Sequence, residues 1–357
     1  MIISEQLKLD AMDRKGAFPR NINSFSRTVA LWRAVEAGGS CVEGRAAYLL
    51  ELVKLASIEI EPAWALAGNH LPTEGLGLPL PDAANPDDVR LMAELGVATE
   101  QFASVVEAIG RWESVDRDPP RDGLSPEDTI GEGAWCAGEA ERVFIGGGWV
   151  ENHSIRDFDK LIRVGFGAVQ GEIEAAKAAA DADSAGYADT CNFWRAANTV
   201  CDAGLLLGER YAEEAARLAR QADSPEDRRR LERMADVCAR VPAEGARTLA
   251  EAVQSLLFLH ILTCGEDGIN ANSIGRLDQI LYPYYAADVA AGRLDRAGAL
   301  AIMEELACKL YLEYDVQHIT LGGVDADGQA AVNELSHLVL EATASVDFIR
   351  CISVRLG

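Results

Sequence analysis

The most constraining feature of this sequence is one apolar segment, AVQSLLFLHILTC, at residues 252–264. Thr248 and Glu251 precede it with the T-x-x-E spacing of a capping box, which predicts that a helix begins there. A helix that is apolar on every face is normally covered on every face. The segment has about half the length needed to cross a bilayer and contains His260. It therefore predicts a helix at the centre of a large core.

Hydrophobic periodicity elsewhere predicts a predominantly helical α/β chain with a few short strands late in the sequence. Ser224 and Pro225 have the N-cap and first-turn chemistry of a helix start. The pattern VQHITLGG (316–323) predicts a strand that ends in a glycine turn, and DFIRCISVRLG (347–357) is also rich in β-forming residues. Residues 1–70 are predicted to be helical. Further helices are predicted over about 87–113, 154–183 (with Ser154 as the N-cap), 189–221, 224–241, 248–264, a stretch that ends at about 314, and 329–345.

Charge and cysteine usage exclude several classes of protein. The formal net charge is −24 and the pI is about 4.6, which disfavours binding to nucleic acid or to an anionic membrane surface. The eight cysteines include no C-x-x-C pair, so we expect free, mostly buried thiols rather than a disulfide framework. The first residues have no apolar core of the length that a signal peptide needs. These features favour a cytoplasmic protein.

Short catalytic motifs do not identify a chemistry by themselves. The glycines at 146–148 are followed by WVENHS, which fits neither a P-loop nor a dinucleotide-binding turn. The five histidines form no H-E-x-x-H pattern, so no metal site is expected. No G-x-S-x-G elbow is present. From these residues alone, the prediction stops at a large, mostly helical protein.

Five ordered blocks, however, resemble the pyruvate formate-lyase domain of glycyl radical enzymes. FWRAANTVCDAGLLLGERYAEEA is similar to the family's F-[YW]-x-A…D-A…R-Y-A helix, and NSIGRLDQILYPYY to its S-x-G-R-[FLM]-D-Q loop. The other three blocks are HSIRDFDKLIRVGFGAVQGEI, RVPAEGARTLAEAVQSLLFLHIL and HITLGGVDADGQAAVNELSHLVLEA. The likeness extends more weakly to CVEGRA (41–46) and IEIEPAWALAGN (58–69), and it is weakest over residues 84–145.

The resemblance implies half of a ten-stranded α/β barrel wrapped by helices. Residues 1–357 would form the N-terminal portion of that domain, with 1–150 as a helical or irregular periphery and 151–357 as helices plus the first barrel strands. The family's thiyl cysteine lies in a C-x-E loop and its radical glycine in an R-V-x-G-[YF] loop, both downstream of SVRLG. Cys41-Val42-Glu43 has the letters of the first loop but matches a helix opening. We therefore expect both loops, and the glycyl radical, to be absent from this chain.

The same resemblance assigns candidate roles to individual residues. His153 matches a histidine used for proton transfer or hydrogen bonding near substrate, although it could equally bond backbone beside a helix N-cap. Arg276 and Asp278 are expected to form a structural ion pair that fixes their loop. His318 stands where the family usually has asparagine. The predicted substrate-binding residues are Asn272, Ser273, Gln317 and His318.

The implied activity is radical cleavage of a C–O, C–N or C–C bond in a small polar substrate, as in the dehydratase and lyase branch. The expected partners are a C-terminal half or continuation of the enzyme, a radical SAM activating enzyme and, in a homodimer, a second copy of the chain, with no bound cofactor. Two alternatives remain at this point: a non-catalytic half-barrel that binds a ligand or partner, and part of a formate acetyltransferase.

Overall fold

The computed structural model describes residues 22–60, 63–68, 78–114, 155–267, 272–312, 318–346 and 351–356. Helices dominate these segments, as the sequence predicts. The N-terminal elements are α1 (Ile22–Ala37), α2 (Cys41–Leu55), α3 (Pro86–Glu94), a 3-10 turn (Thr99–Gln101) and α4 (Phe102–Ser114). Then come α5 (Phe158–Ala179), α6 (Tyr187–Gln221), α7 (Pro225–Arg240), α8 (Leu249–Asp267), β1 (Gly275–Arg276), α9 (Leu277–Ala290), α10 (Arg296–Leu312), β2 (His318–Gly322), α11 (Glu334–Val346) and β3 (Cys351–Arg355).

Helix α8 lies at the centre of the core, which confirms the prediction from its apolar sequence. Every residue from Ala252 to Leu262 is at most 5% exposed. The helix packs against α2, α5, α6, α9 and α10. The predicted capping box forms in part. Thr248 Oγ1 accepts a hydrogen bond from Glu251 N at 3.2 Å, but the Glu251 carboxylate accepts from Arg247 N, at 2.6 Å, rather than from Thr248 N.

The N-terminal boundary of α5 differs from the prediction. Asp157, rather than Ser154, caps the helix by accepting a hydrogen bond from Lys160 N at 3.1 Å. Ser154 itself lies outside the described residues. An aspartate directly before the first helical residue offers an oxygen to the free N–H groups of the first turn, and the sequence pattern did not distinguish it from the serine three residues earlier.

A backbone kink divides α5 at Gly165, which has φ 78° and ψ 165°. The loop after α7 fits against this kink: Phe166 N donates to Pro242 O at 2.9 Å and Gly167 N to Ala243 O at 3.0 Å. A Cβ atom on Gly165 would lie 2.4 Å from Ala243 O. The position therefore requires glycine, both for its dihedral angles and for the close backbone approach.

Local residues also decide two other helix boundaries, one predicted correctly and one not. Ser224 accepts hydrogen bonds from the backbone of the first turn of α7, and Pro225 is the first helical residue, as predicted. The helix predicted over 87–113 is instead two helices, because Gly96 has a φ of 76° and ends the first.

Across the described parts of the chain, no helix combines the length and the apolar character needed to span a bilayer.

The three strands form a parallel sheet in the order β1-β2-β3. Gly275 pairs with Ile319, and His318 through Gly322 pair in register with Cys351 through Arg355. Helices α9 and α10 connect β1 to β2, and α11 connects β2 to β3, as parallel pairing requires. Both strands predicted from the sequence, HITLG and CISVR, are present. This sheet is the element that positions the candidate site.

Candidate active site

The sheet has one apolar face and one polar face. Ile319 and Leu321 are buried against helices, whereas His318 and Thr320 point to the opposite side because side chains alternate along a strand. In-register neighbours on parallel strands share a face, so the side chains of Cys351 and Ser353 lie with those of His318 and Thr320. We call this surface, formed by Arg276, His318, Thr320, Cys351, Ser353 and Arg355, the polar face.

Three predicted substrate-binding residues lie near one end of the sheet. Asn272 and Ser273 precede β1 with Ile274 between them and the strand, and His318 is the first residue of β2. The hydrogen bond from Ile274 N to His318 O, at 3.0 Å, ties the two strand starts together. Asn272 is 2% exposed and Ser273 is 8% exposed. The N-terminal end of the sheet therefore gathers a buried amide, a buried hydroxyl and an imidazole.

The remaining two predicted residues, His153 and Gln317, lie outside the described residues. The first described residue after His153 is Ile155. The Ile155 side chain packs against Gly275. A Cβ atom added to Gly275 would lie only 2.8 Å from Ile155 Cγ2. The φ of Gly275 is 84°, which also favours glycine there. The chain thus brings the segment that follows His153 against the start of β1.

His318 has a hydrogen-bond partner that the sequence analysis missed. Its Nε2 lies 2.7 Å from Ser353 Oγ on β3. Ser353 is half-buried, whereas His318 itself is exposed. The alternation of CISVR suggests that Cys351 and Ser353 share a face, but only the register of β2 against β3 places that face beside His318.

Arg276 and Asp278 do not form the predicted ion pair; each binds the Gly322 peptide instead. Arg276 Nη2 donates to Gly322 O at 2.8 Å, and Gly322 N donates to Asp278 Oδ2 at 2.8 Å. The fully buried Asp278 also accepts from Ser336 Oγ at 2.5 Å. Arg276 ends β1 and Asp278 lies in the first turn of α9, so they approach Gly322 from different sides. Their role is still structural, because they fix the turn after β2.

A buried polar chain lies behind Asn272. Its Nδ2 is 3.6 Å from Cys264 Sγ, and Cys264 Sγ is 3.6 Å from His260 Nε2 one turn earlier on α8. Cys264 and His260 are both fully buried. The central helix therefore supports the side chain of a predicted substrate residue directly.

A separate cleft of about 710 Å³ opens between α2, α5, α6 and the end of α8. Its walls are mostly apolar, with Leu49, Phe158 and Phe193 among them, and Arg45, Arg156 and Glu266 lie at one side. Arg45 forms an ion pair with Glu266. Burial lowers the pKa of Arg156 from its ordinary value, while Glu266 acts in the opposite direction.

Within the described segments, no three histidine, cysteine or acidic side chains are grouped as a metal site would require.

A comparison with models of protein families shows to which family the chain belongs. The family model described as "Pyruvate formate lyase-like" matches residues 149–354, which include β1, β2, most of β3 and the helices between them. The chain belongs to the pyruvate formate lyase-like family. The matched range also contains all the predicted site residues.

Curated relatives in this family carry lyase and dehydratase names. An isethionate sulfite-lyase from Nitratidesulfovibrio vulgaris is 32% identical over 206 residues, which is 53% of this chain and 25% of the relative. A trans-4-hydroxy-L-proline dehydratase from Clostridioides difficile is 34% identical over 168 residues, or 42% of this chain and 21% of the relative. The matched region is therefore about a quarter or less of the length of these relatives.

Solved structures confirm the fold. Glycerol dehydratase from Clostridium butyricum superposes with a TM-score of 0.75 at 19% identity, covering 98% of this chain and 47% of that one. Hydroxyproline dehydratase from Clostridioides difficile also gives 0.75, at 23% identity, covering 100% and 48%. A glycyl radical enzyme from Archaeoglobus fulgidus gives 0.71. The chain thus folds like about half of a glycyl radical enzyme barrel, as predicted from the sequence.

Proposed function

We propose that this chain is the N-terminal part of a glycyl radical enzyme of the dehydratase and lyase type. The complete enzyme would cleave a C–O, C–N or C–C bond in a small polar substrate by radical chemistry. One observation carries this proposal: the family match over 149–354 coincides with the sheet that gathers Asn272, Ser273 and His318 at one end.

The geometry gives each of these residues a task. Ser273 and Asn272 are almost completely buried, so hydrogen bonds from them to a substrate hydroxyl would form away from competing water. Asn272 is also supported from behind by Cys264. His318 offers an exposed imidazole, which can donate or accept a hydrogen bond. We assign proton transfer to His153, as the family resemblance suggests.

The radical itself would come from polypeptide outside this sequence. We propose that a continuation of the chain or a separate subunit supplies the thiyl cysteine and the radical glycine, and that a radical SAM enzyme installs the radical. The described sheet supports a larger barrel, since β1 and β3 each pair with a neighbour on one side only within the described residues. A second copy of the whole enzyme is a further expected partner, in an anaerobic cytoplasm.

The test begins with the gene downstream of residue 357. The protein extended to include a G-C-x-E loop and an R-V-x-G-[YF] loop is incubated anaerobically with its radical SAM activating enzyme. We expect the doublet of a glycyl radical in electron paramagnetic resonance, followed by turnover of a hydroxylated or amino-substituted small substrate.

Two controls separate the radical from the site. The present chain alone should give no doublet under the same conditions. In the extended protein, Ser273→Ala should retain the doublet but lose turnover, because the radical glycine is unaffected while a substrate hydrogen bond is removed. Absence of both loops downstream and from neighbouring genes would overturn the proposal.

A further inference from the structure

Helix α9 is apolar around its whole circumference, yet one side of it faces solvent. Its charged residues, Asp278 and Asp288, are both buried, at 0% and 4% exposed. A helix of this composition is normally covered on every face, as α8 is. The exposed residues of α9 are all apolar: Tyr282, Pro283, Ala287, Val289 and Ala290. The helix therefore presents to solvent a surface that a folded chain usually hides.

This surface is unusual for a chain with a formal charge of −24. Helix α7 shows the ordinary pattern, since most of its exposed residues are charged: Glu226, Arg228, Arg229, Glu232, Arg233 and Asp236. On α9, Tyr282 is 37% exposed and Val289 is 41% exposed, and the two lie two turns apart on the same side of the helix. The α9 face is the surface formed by Tyr282, Pro283, the half-buried Ala286, Ala287, Val289 and Ala290.

Two arginines that follow the helix already have partners within the chain. Arg293 pairs with Asp288 at 2.8 Å, and Arg296 pairs with Glu341 at 2.5 Å. A protein that covers the α9 face therefore does not leave these two guanidinium groups without an opposite charge. An apolar centre that contains an aromatic side chain, beside paired polar groups, is the usual composition of a protein interface.

We propose that the α9 face is an interface between two copies of this chain, whose α9 helices pack antiparallel about a twofold axis near Ala286. The large side chain of Tyr282 lies in the first half of the face, whereas Ala287 and Ala290 lie in the second. Antiparallel packing places Tyr282 of one copy against Val289 and the small alanines of the other, whereas parallel packing would place tyrosine against tyrosine.

The net charge supports a second copy of the chain as the occupant. Acidic parts of two copies repel each other, but the α9 face carries no charge, so two of these faces can approach without like charges in contact. The inference goes beyond the proposed function, because it locates a surface for assembly and does not depend on the chemistry of the site.

The first experiment measures the mass of the full chain by sedimentation equilibrium. We expect twice the monomer mass of 38.4 kDa at micromolar concentrations. Val289→Glu would place a carboxylate in the apolar interface and should raise the dissociation constant of the dimer at least about tenfold, with an unchanged far-UV circular dichroism spectrum. Val106→Glu on α4 is the matched control, since Val106 is 39% exposed, and should leave the dimer intact. A monomer at every concentration, or equal effects of the two variants, would overturn the proposal.

The second experiment tests the orientation of the two helices by disulfide cross-linking. Tyr282→Cys and Val289→Cys are prepared as separate proteins, both with the exposed Cys351→Ser. Their oxidised mixture should give a covalent dimer, whereas each protein alone should give no more than the Cys351→Ser protein does. The reason is that antiparallel packing brings position 282 of one copy to position 289 of the other and keeps identical positions farther apart than a disulfide spans.

Cross-linking of the Tyr282→Cys protein alone would contradict the antiparallel arrangement, and no cross-linking in the mixture would contradict the interface. Neither experiment needs the radical. A failed radical assay beside a cross-linked dimer would therefore reject the proposed function and leave the interface standing.

Discussion

Replacing Gly165 with alanine should destabilise the fold strongly. Gly165 has φ 78° and ψ 165°, a region of backbone space that is essentially restricted to glycine. Holding a residue with a Cβ atom in such a region costs about 1–3 kcal/mol. The new Cβ would also lie 2.4 Å from Ala243 O, which is backbone and cannot rotate away.

The second part of the cost comes from the displaced loop. Overpacking of this kind typically costs about another 1–3 kcal/mol. It also strains the hydrogen bonds from Phe166 N to Pro242 O and from Gly167 N to Ala243 O. Together these effects predict a loss of about 2–6 kcal/mol in the free energy of unfolding. Because α5 starts next to the segment that packs on Gly275, ligand binding at the site should weaken as well.

Gly171 in the same helix provides the matched control. A Cβ atom there would meet no neighbouring heavy atom, so Gly171→Ala should stabilise the protein by about 0.5–1 kcal/mol through helix propensity. Urea unfolding followed by far-UV circular dichroism compares both variants with the wild type. The two glycine-to-alanine substitutions in α5 should thus change the free energy of unfolding in opposite directions. A change of less than about 1 kcal/mol for Gly165→Ala would show that this position does not require glycine.

Three further predictions concern charge, burial and thiol access. Hydrogen bonds from Ser40, and then Arg195, lower the pKa of Glu43 from its ordinary value of 4.5 to about 2. Its stabilising effect should therefore be present at neutral pH and be lost as pH falls from 4.5 towards 2, so the difference in melting temperature between wild type and Glu43→Gln should shrink over that range. Asp278→Ala removes a buried acceptor of two hydrogen bonds and should cost about 3–5 kcal/mol in urea unfolding, whereas Asp325→Ala in the exposed turn after β2 should cost much less. Burial raises the pKa of the Cys201 thiol to about 11 and also raises that of Cys238, so iodoacetamide at mildly alkaline pH should label the exposed Cys351 and spare both; rapid labelling of Cys238 in the folded protein would contradict its burial.

Much of the fold could be predicted because its signals are local. The burial of α8 follows from a segment without a polar stripe, and the start of α7 follows from Ser224 and Pro225. The two strands follow from short β-rich runs that end at glycine or at the close of the sequence. The kink at Gly165 could not be predicted, because it depends on the loop at Pro242 and Ala243, which is distant in the sequence.

The candidate site was predictable only as far as the family resemblance reached. That resemblance selected Asn272, Ser273 and His318, and the structure places all three at one end of the sheet. It did not select Ser353, since strand register is a non-local property. The ion pair between Arg276 and Asp278 was wrong for a similar reason. The resemblance suggested that the two charges contact each other, but the start of a helix between them turns both towards Gly322.

The most direct test is a crystal structure of the extended protein with its substrate bound. If the N-terminal end of the sheet is where substrate binds, the ligand will lie within hydrogen-bonding distance of Ser273 and His318, with β3 paired to a further strand. A substrate bound instead in the cleft beside Phe193, or a chain whose three strands stand alone, would contradict the account.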